Sequence, residues 1–176
     1  MTSLKDAFGF PVVTAIGSGK GGTGKTLIAV SLAQALAHTG ERVLLCDGDL
    51  GLANAALHLG LSHSGDMAAV LSGRTTVEKA TVPVAGGAGA RGGFDLLAAP
   101  AGSGVLADAG EQGARQLLIS LRMTDYDRVI VTGVDLARRL GALLAAATRG
   151  VPLAHITRSA FVAGGLETLT PLSLAR

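Results

Sequence analysis

Residues 17–26 read Gly17-Ser18-Gly19-Lys20-Gly21-Gly22-Thr23-Gly24-Lys25-Thr26 and contain the spacing G-x-x-x-x-G-K-[ST]. Few sequence features restrict a fold as strongly. Glycines at these intervals let the backbone turn tightly and present bare N–H groups to an anion. A helix starting at the end of such a loop aims its positive end at the same place. Lys25 reaches terminal phosphates, and the Thr26 hydroxyl is placed for a magnesium ion. The motif requires a strand before it and a helix after it, and both are legible. Pro11 to Ile16 is a short apolar run suited to a buried strand, and Leu27 to Ala37 has the apolar face of a helix that Gly40 stops. A glycine-rich loop without a ligand is the plain alternative in a chain with 26 glycines. The flanking strand and helix argue against it.

Further along, apolar runs alternate with helical patterns. Arg42 to Cys46 predicts a second strand, ending in Asp47-Gly48-Asp49. Residues 51–61 predict a loop passing into a short helix, and Asp66 to Leu71 another, capped by Ser64 or Asp66. Residues 84–93 are Gly/Ala-rich and predict a flexible connection. Phe94 to Ala99 and Asp127 to Thr132 predict the third and fourth strands, with a helical pattern over 111–123 between them. Residues 135–148 predict an Ala/Leu helix, Val151 to Ile156 a fifth strand, and Phe161 to Leu169 the start of another helix. Strands alternating with helices make an α/β fold with a mostly parallel sheet flanked by helices and right-handed crossovers. No internal repeat or domain boundary is visible, so residues 1–176 are expected to form a single domain.

Composition narrows the options. Hydrophobic residues make up 48% and aromatic residues 3%, so the core is built from Ala, Leu and Val, as parallel strands under helices require. A net charge of +2, with a pI near 9.0, is too small an excess to argue for nucleic acid. The single cysteine, Cys46, rules out a disulfide within the chain and fits a reducing cytoplasm. It reads as a small buried strand residue rather than a reactive thiol. No secretory signal is visible near Lys5 and Asp6, and no apolar run approaches the ~18 residues that span a bilayer. His38, His58, His63 and His155 are scattered without metal-ligand spacing. His38, near a helix end, is expected to cap it.

Two segments resemble a known family. Lys20-Gly21-Gly22-Thr23-Gly24-Lys25-Thr26 is similar to the deviant Walker A phosphate loop of the MinD/ParA group of ATPases. Cys46-Asp47-Gly48-Asp49-Leu50-Gly51-Leu52-Ala53-Asn54, leading to Leu59-Gly60-Leu61, resembles the segment after that group's second strand, in the wording of its MinD and FlhG/FleN branch. The stretch Phe94 to Gly104 and the pair Tyr126-Asp127 resemble later parts of the same branch. The likeness covers most of residues 10–160.

The resemblance implies a P-loop NTPase fold that binds ATP and Mg²⁺ through Gly19, Lys20, Gly21, Gly22, Thr23, Gly24, Lys25 and Thr26. It implies Thr26 and Asp47 as metal-shell residues and Lys20, Asp47 and Asp49 as catalytic residues. Lys20 would reach the partner's nucleotide in an ATP-dependent homodimer. Of Asp47 and Asp49, one would contact the Mg²⁺ shell or Lys20 and the other orient the attacking water; which does which stays open. The plain alternative is two aspartates in a strand-to-loop turn. The resemblance implies a cytoplasmic spatial regulator of flagellar number, placement or division site, with a protein partner in flagellar or polar machinery.

The sequence departs from that pattern in two places. Relatives end the fourth strand with an aspartate that holds the magnesium shell. Here the run is Val131-Thr132-Gly133-Val134-Asp135, and Thr132 takes that position if no gap is placed. Weakened Mg²⁺ binding and slow hydrolysis are expected. The relatives' sequences also continue well past the fifth strand, whereas this one stops at Arg176, so a C-terminally shortened fold without a membrane-surface helix is expected. These departures keep a second reading open: a degenerate, non-enzymatic interaction protein that retains the phosphate loop as scaffold.

Overall fold

The computed structural model describes residues 9–17, 22–48, 54–63, 65–99, 105–132, 155–156 and 167–168. Residues 9–17 and 24–132 of these belong to one compact unit, and 22–23, 155–156 and 167–168 to a second.

The first unit is built on a five-stranded sheet. Its elements are β1 (Val12–Ile16), α1 (Lys25–His38), β2 (Val43–Asp47), α2 (Ala55–His58), α3 (Met67–Leu71), α4 (Val77–Ala80), β3 (Val82–Val84), β4 (Phe94–Ala98), α5 (Val105–Arg122) and β5 (Arg128–Thr132). The strand order is β1-β5-β2-β4-β3. β1, β5, β2 and β4 run parallel, and β3 pairs antiparallel with β4. The expected α/β architecture is therefore present, with an additional edge strand that the sequence reading passed over. Pro83 at the centre of β3 lacks an N–H and suits an edge position.

The two sheet faces can be separated residue by residue. Alternate side chains of a strand point to opposite faces. One buried cluster joins Val43, Leu45, Leu96, Ala98 and Ile130 to Ala29, Ala33 and Ala37 of α1. The other joins Leu44, Cys46, Leu97, Val129 and Val131 to Leu117 and Leu121 of α5 and Met67 and Val70 of α3. All five residues of β2 are buried because both of its faces are covered, which explains its uninterrupted apolar run.

Local structure agrees with the sequence at several points and differs at others. Asp66 caps α3, accepting a hydrogen bond at Oδ1 from the Ala69 N–H at 2.8 Å. The helix before β5 starts at Val105, six residues earlier than its pattern suggested. Residues 84–93 are not simply a connection. Val84 ends β3, and the turn after it is held by Asp95, which accepts from the Ala88 N–H at 3.1 Å and from the Tyr126 hydroxyl at 2.7 Å. A Cβ on Gly93 would stand 2.5 Å from the Ala85 carbonyl oxygen and 2.6 Å from that of Gly87, so only glycine fits there. His38 does not cap α1. Its imidazole fills the space above Gly92, and Thr39 is the C-cap, its hydroxyl donating to the Leu36 carbonyl at 2.7 Å.

In the second unit, β6 (His155–Ile156) pairs antiparallel with β7 (Glu167–Thr168). Glu167 and Thr168 are thus extended where a helix from Phe161 was expected. The expected helix over 135–148 lies outside the described residues, as do Val151 to Ala154 of the expected fifth strand.

Candidate functional site

In an open parallel sheet, ligands bind beyond the carboxyl ends of the strands. β1 ends at Ile16 and β5 at Thr132, and these two are register partners; Thr132 is also the register partner of Asp47, the last residue of β2. Strand parity places their side chains. Val43 and Leu45 face α1, so Asp47 does too; Ile130 faces α1, so Thr132 does too. Neighbouring strands lie about 4.8 Å apart. The carboxyl edge of the sheet therefore presents a carboxylate and a hydroxyl side by side, on the face that α1 covers.

α1 begins at that edge. Gly24 is its N-cap, with φ +85 and no side chain to satisfy the first N–H groups. A Cβ there would meet nothing, so the glycine is required by backbone conformation and not by crowding. Lys25 and Thr26 are the first two helical residues, both half-buried. Gly22, with φ +73, also takes the left-handed conformation. Thr23 is exposed. Gly19, Lys20 and Gly21 lie outside the described residues, and so do Asp49 and Asp135.

Asp47 has no exposed surface. Its Oδ2 accepts a hydrogen bond from the Ala55 N–H at 2.9 Å, at the start of α2. The same carboxylate that closes β2 thus pins the helix at the far end of residues 48–54. This anchor could have been suspected from the Asp47…Asn54-Ala55 spacing, but no sequence rule requires it. Next to it, the Cys46 thiol is pushed up to about 12, first by burial and then by the charge of Asp47. A thiol held neutral is not a nucleophile, in line with its reading as a strand residue.

Thr132 stands at the strand end where an aspartate was expected. It too is fully buried. Its carbonyl accepts from the Gly48 N–H at 2.7 Å, yet its Oγ1 has no hydrogen-bond partner among the described residues. Among the described residues, no group of three or more His, Cys, Asp or Glu could hold a metal by protein ligands alone. The residues present suit a different arrangement: a magnesium ion carried by phosphates, with a few protein groups touching it or its waters. The Thr26 hydroxyl, the Asp47 carboxylate and the unpartnered Thr132 hydroxyl are the groups that fit it.

The model of the CobQ/CobB/MinD/ParA nucleotide binding domain matches residues 14–162. The chain belongs to this family. Among relatives, the antiactivator FleN of Pseudomonas aeruginosa is 53% identical over 62 residues, 35% of this chain and 22% of that protein. A putative septum site-determining protein MinD of Guillardia theta is 34% identical over 121 residues, 68% of this chain and 43% of that protein. Among solved structures, MinD of Pyrococcus horikoshii in complex with Mg-ADP superposes with a TM-score of 0.53 at 31% identity, covering 68% of this chain and 48% of that one. The chain spans less than half the length of these relatives. The CobQ/CobB/MinD/ParA fold accounts for the parallel sheet, at whose carboxyl edge Asp47, Thr132 and the start of α1 converge.

Proposed function

We propose that this domain binds a magnesium-bound adenine nucleotide at the carboxyl edge of its sheet and works as a nucleotide-dependent regulator that dimerises with ATP. The observation that carries this reading is Asp47, buried and anchored to Ala55, on the sheet face covered by the helix that Gly24, Lys25 and Thr26 open. The Mg-ADP bound by the Pyrococcus horikoshii relative supports the choice of ligand.

In this reading the N-terminal N–H groups of α1 and Lys25 hold phosphate oxygens. Thr26 offers its hydroxyl to the metal. Asp47 supplies negative charge to the metal shell from a position its hydrogen bond to Ala55 keeps fixed. The nucleotide supplies the transferable phosphoryl group, and catalysis rests on positioning and electrostatics. Lys20 stabilises charge in the second subunit, and Asp49 assists in orienting water. Hydrolysis is slow, because Thr132 brings no charge to the end of β5. The name of the septum site-determining MinD relative points to the placement of a cell structure as the setting, and the resemblance to the FlhG/FleN branch extends this to flagellar number, with a protein partner at that structure.

Titration of the purified protein with Mg-ATP in an isothermal calorimeter tests the reading. A saturating heat with sustained power afterwards means binding and turnover. A binding heat alone means a switch that holds ATP or waits for an activator. No heat over a range of temperatures overturns the proposal. That last result favours a scaffold that keeps the loop without its ligand, a reading to which the missing carboxylate at Thr132 lends support.

A further inference from the structure

Thr132 Oγ1 is a buried side-chain oxygen without a hydrogen-bond partner among the described residues. Packing alone gives no reason for it. Valine has nearly the same shape, the adjoining Ile130 and Val131 are apolar, and a lone buried hydroxyl is less favourable than a methyl group in its place. The position is also particular. Thr132 is in register with Ile16, after which the phosphate loop starts, and with Asp47, and it shares the α1 face with Asp47.

We propose that Thr132 is a positioning residue of the magnesium–nucleotide site: its Oγ1 accepts a hydrogen bond from a water of the metal shell, at the position where phosphate-loop relatives carry an aspartate. This inference rests on the nucleotide-binding reading above. The hydroxyl gives the shell a direction without giving it charge. One neutral hydrogen bond changes affinity by about fivefold, whereas a hydrogen bond to a charged group contributes more. The domain accordingly gains only modestly in nucleotide affinity from Mg²⁺ and keeps its nucleotide with little metal.

The test is ADP binding by calorimetry in Mg²⁺ and in EDTA, together with the melting temperature of the nucleotide-free protein. Thr132→Val is expected to lower ADP affinity about fivefold in Mg²⁺, to leave it unchanged in EDTA, and not to lower the melting temperature. Thr132→Ser is expected to restore the magnesium-dependent part. Thr132→Asp, where it folds, is expected to enlarge the gain from Mg²⁺ beyond that of the unaltered protein; the valine and serine variants decide the matter on their own. A valine variant with the full gain from Mg²⁺ overturns the proposal. So does one that binds ADP equally less well in both buffers, because that marks a general packing role. Failure of the unaltered protein to bind ADP in either buffer removes the nucleotide reading itself and is distinct from both.

Discussion

The Asp47 carboxylate and the Thr132 hydroxyl occupy paired register positions on neighbouring parallel strands, both buried, and only the carboxylate is anchored. Asp47 spends one oxygen on the Ala55 N–H. Asp47→Ala leaves that N–H buried without its acceptor, at a cost of about 1–3 kcal/mol. Asp47→Asn keeps an acceptor oxygen and is expected to cost less. Urea denaturation of the two variants separates these outcomes. If both lose the same stability, the hydrogen bond to Ala55 is not what fixes the residue.

Lys25 carries the phosphate-binding reading. Lys25→Ala is expected to weaken nucleotide binding at least about hundredfold, the loss of roughly 3 kcal/mol of charge-assisted contact. Calorimetry on the variant, with its circular dichroism spectrum unchanged, is the check. Tight binding that survives the substitution would falsify the site assignment.

In the proposed function Lys20 separates binding from assembly. Lys20→Ala is expected to bind nucleotide as a monomer but to stay monomeric in ATP. Sedimentation velocity with and without ATP reads this directly. A variant that still dimerises with ATP removes the trans role of this lysine.

Burial of Cys46 makes a signed prediction in alkaline solution. Its pKa in the folded state is about 12, above the ordinary 9.0. The unfolded chain therefore loses the thiol proton first, and stability present below pH 9 declines as pH rises toward 12. The limiting slope from this one group is about 1.4 kcal/mol per pH unit. Denaturant unfolding between pH 8 and pH 11, compared with Cys46→Ala, isolates it (pH values chosen about the ordinary thiol range). A variant with the same alkaline slope would show that Cys46 is not its source. The raised pKa of Tyr126, caused by burial and by its bond to Asp95, acts in the same direction at still higher pH and is common to both proteins.

Much of the fold could be read from the chain because parallel strands covered on both faces leave an unmistakable mark. Val43 to Asp47 is apolar without alternation up to its final carboxylate, and it is buried throughout. The capping of α3 by Asp66 was legible for a similar reason, since a side-chain acceptor three residues before a free N–H is a local event. What escaped was set by distant contacts. β3 is three residues long and contains a proline, so neither length nor propensity marked it; its pairing with β4 does. The turn after it looked featureless in a Gly/Ala stretch, although Gly93 is enclosed by two carbonyl oxygens and Asp95 ties the turn to Tyr126. For the candidate site, the phosphate-loop spacing singled out Lys25 and Thr26, and the residue after Cys46 stood out as acidic. The fastening of Asp47 to Ala55 was not visible, because it joins two residues eight apart in the chain and no local pattern marks such a bond.

The methyl stripe Ala29, Ala33 and Ala37 is the fully buried part of the surface by which α1 meets the sheet, with Val30, Leu32 and Leu36 partly buried beside it. Such small groups act as a gauge block: they set the height of the helix above the strands, and hence the height of Lys25 and Thr26 over the edge where Asp47 and Thr132 lie. A side chain one size larger anywhere along the stripe would lift that first turn before it disturbed any residue near the phosphates. If the domain binds nucleotide as proposed, its affinity is a ruler for helix–sheet spacing, readable from positions as far as about three turns along α1 from the loop.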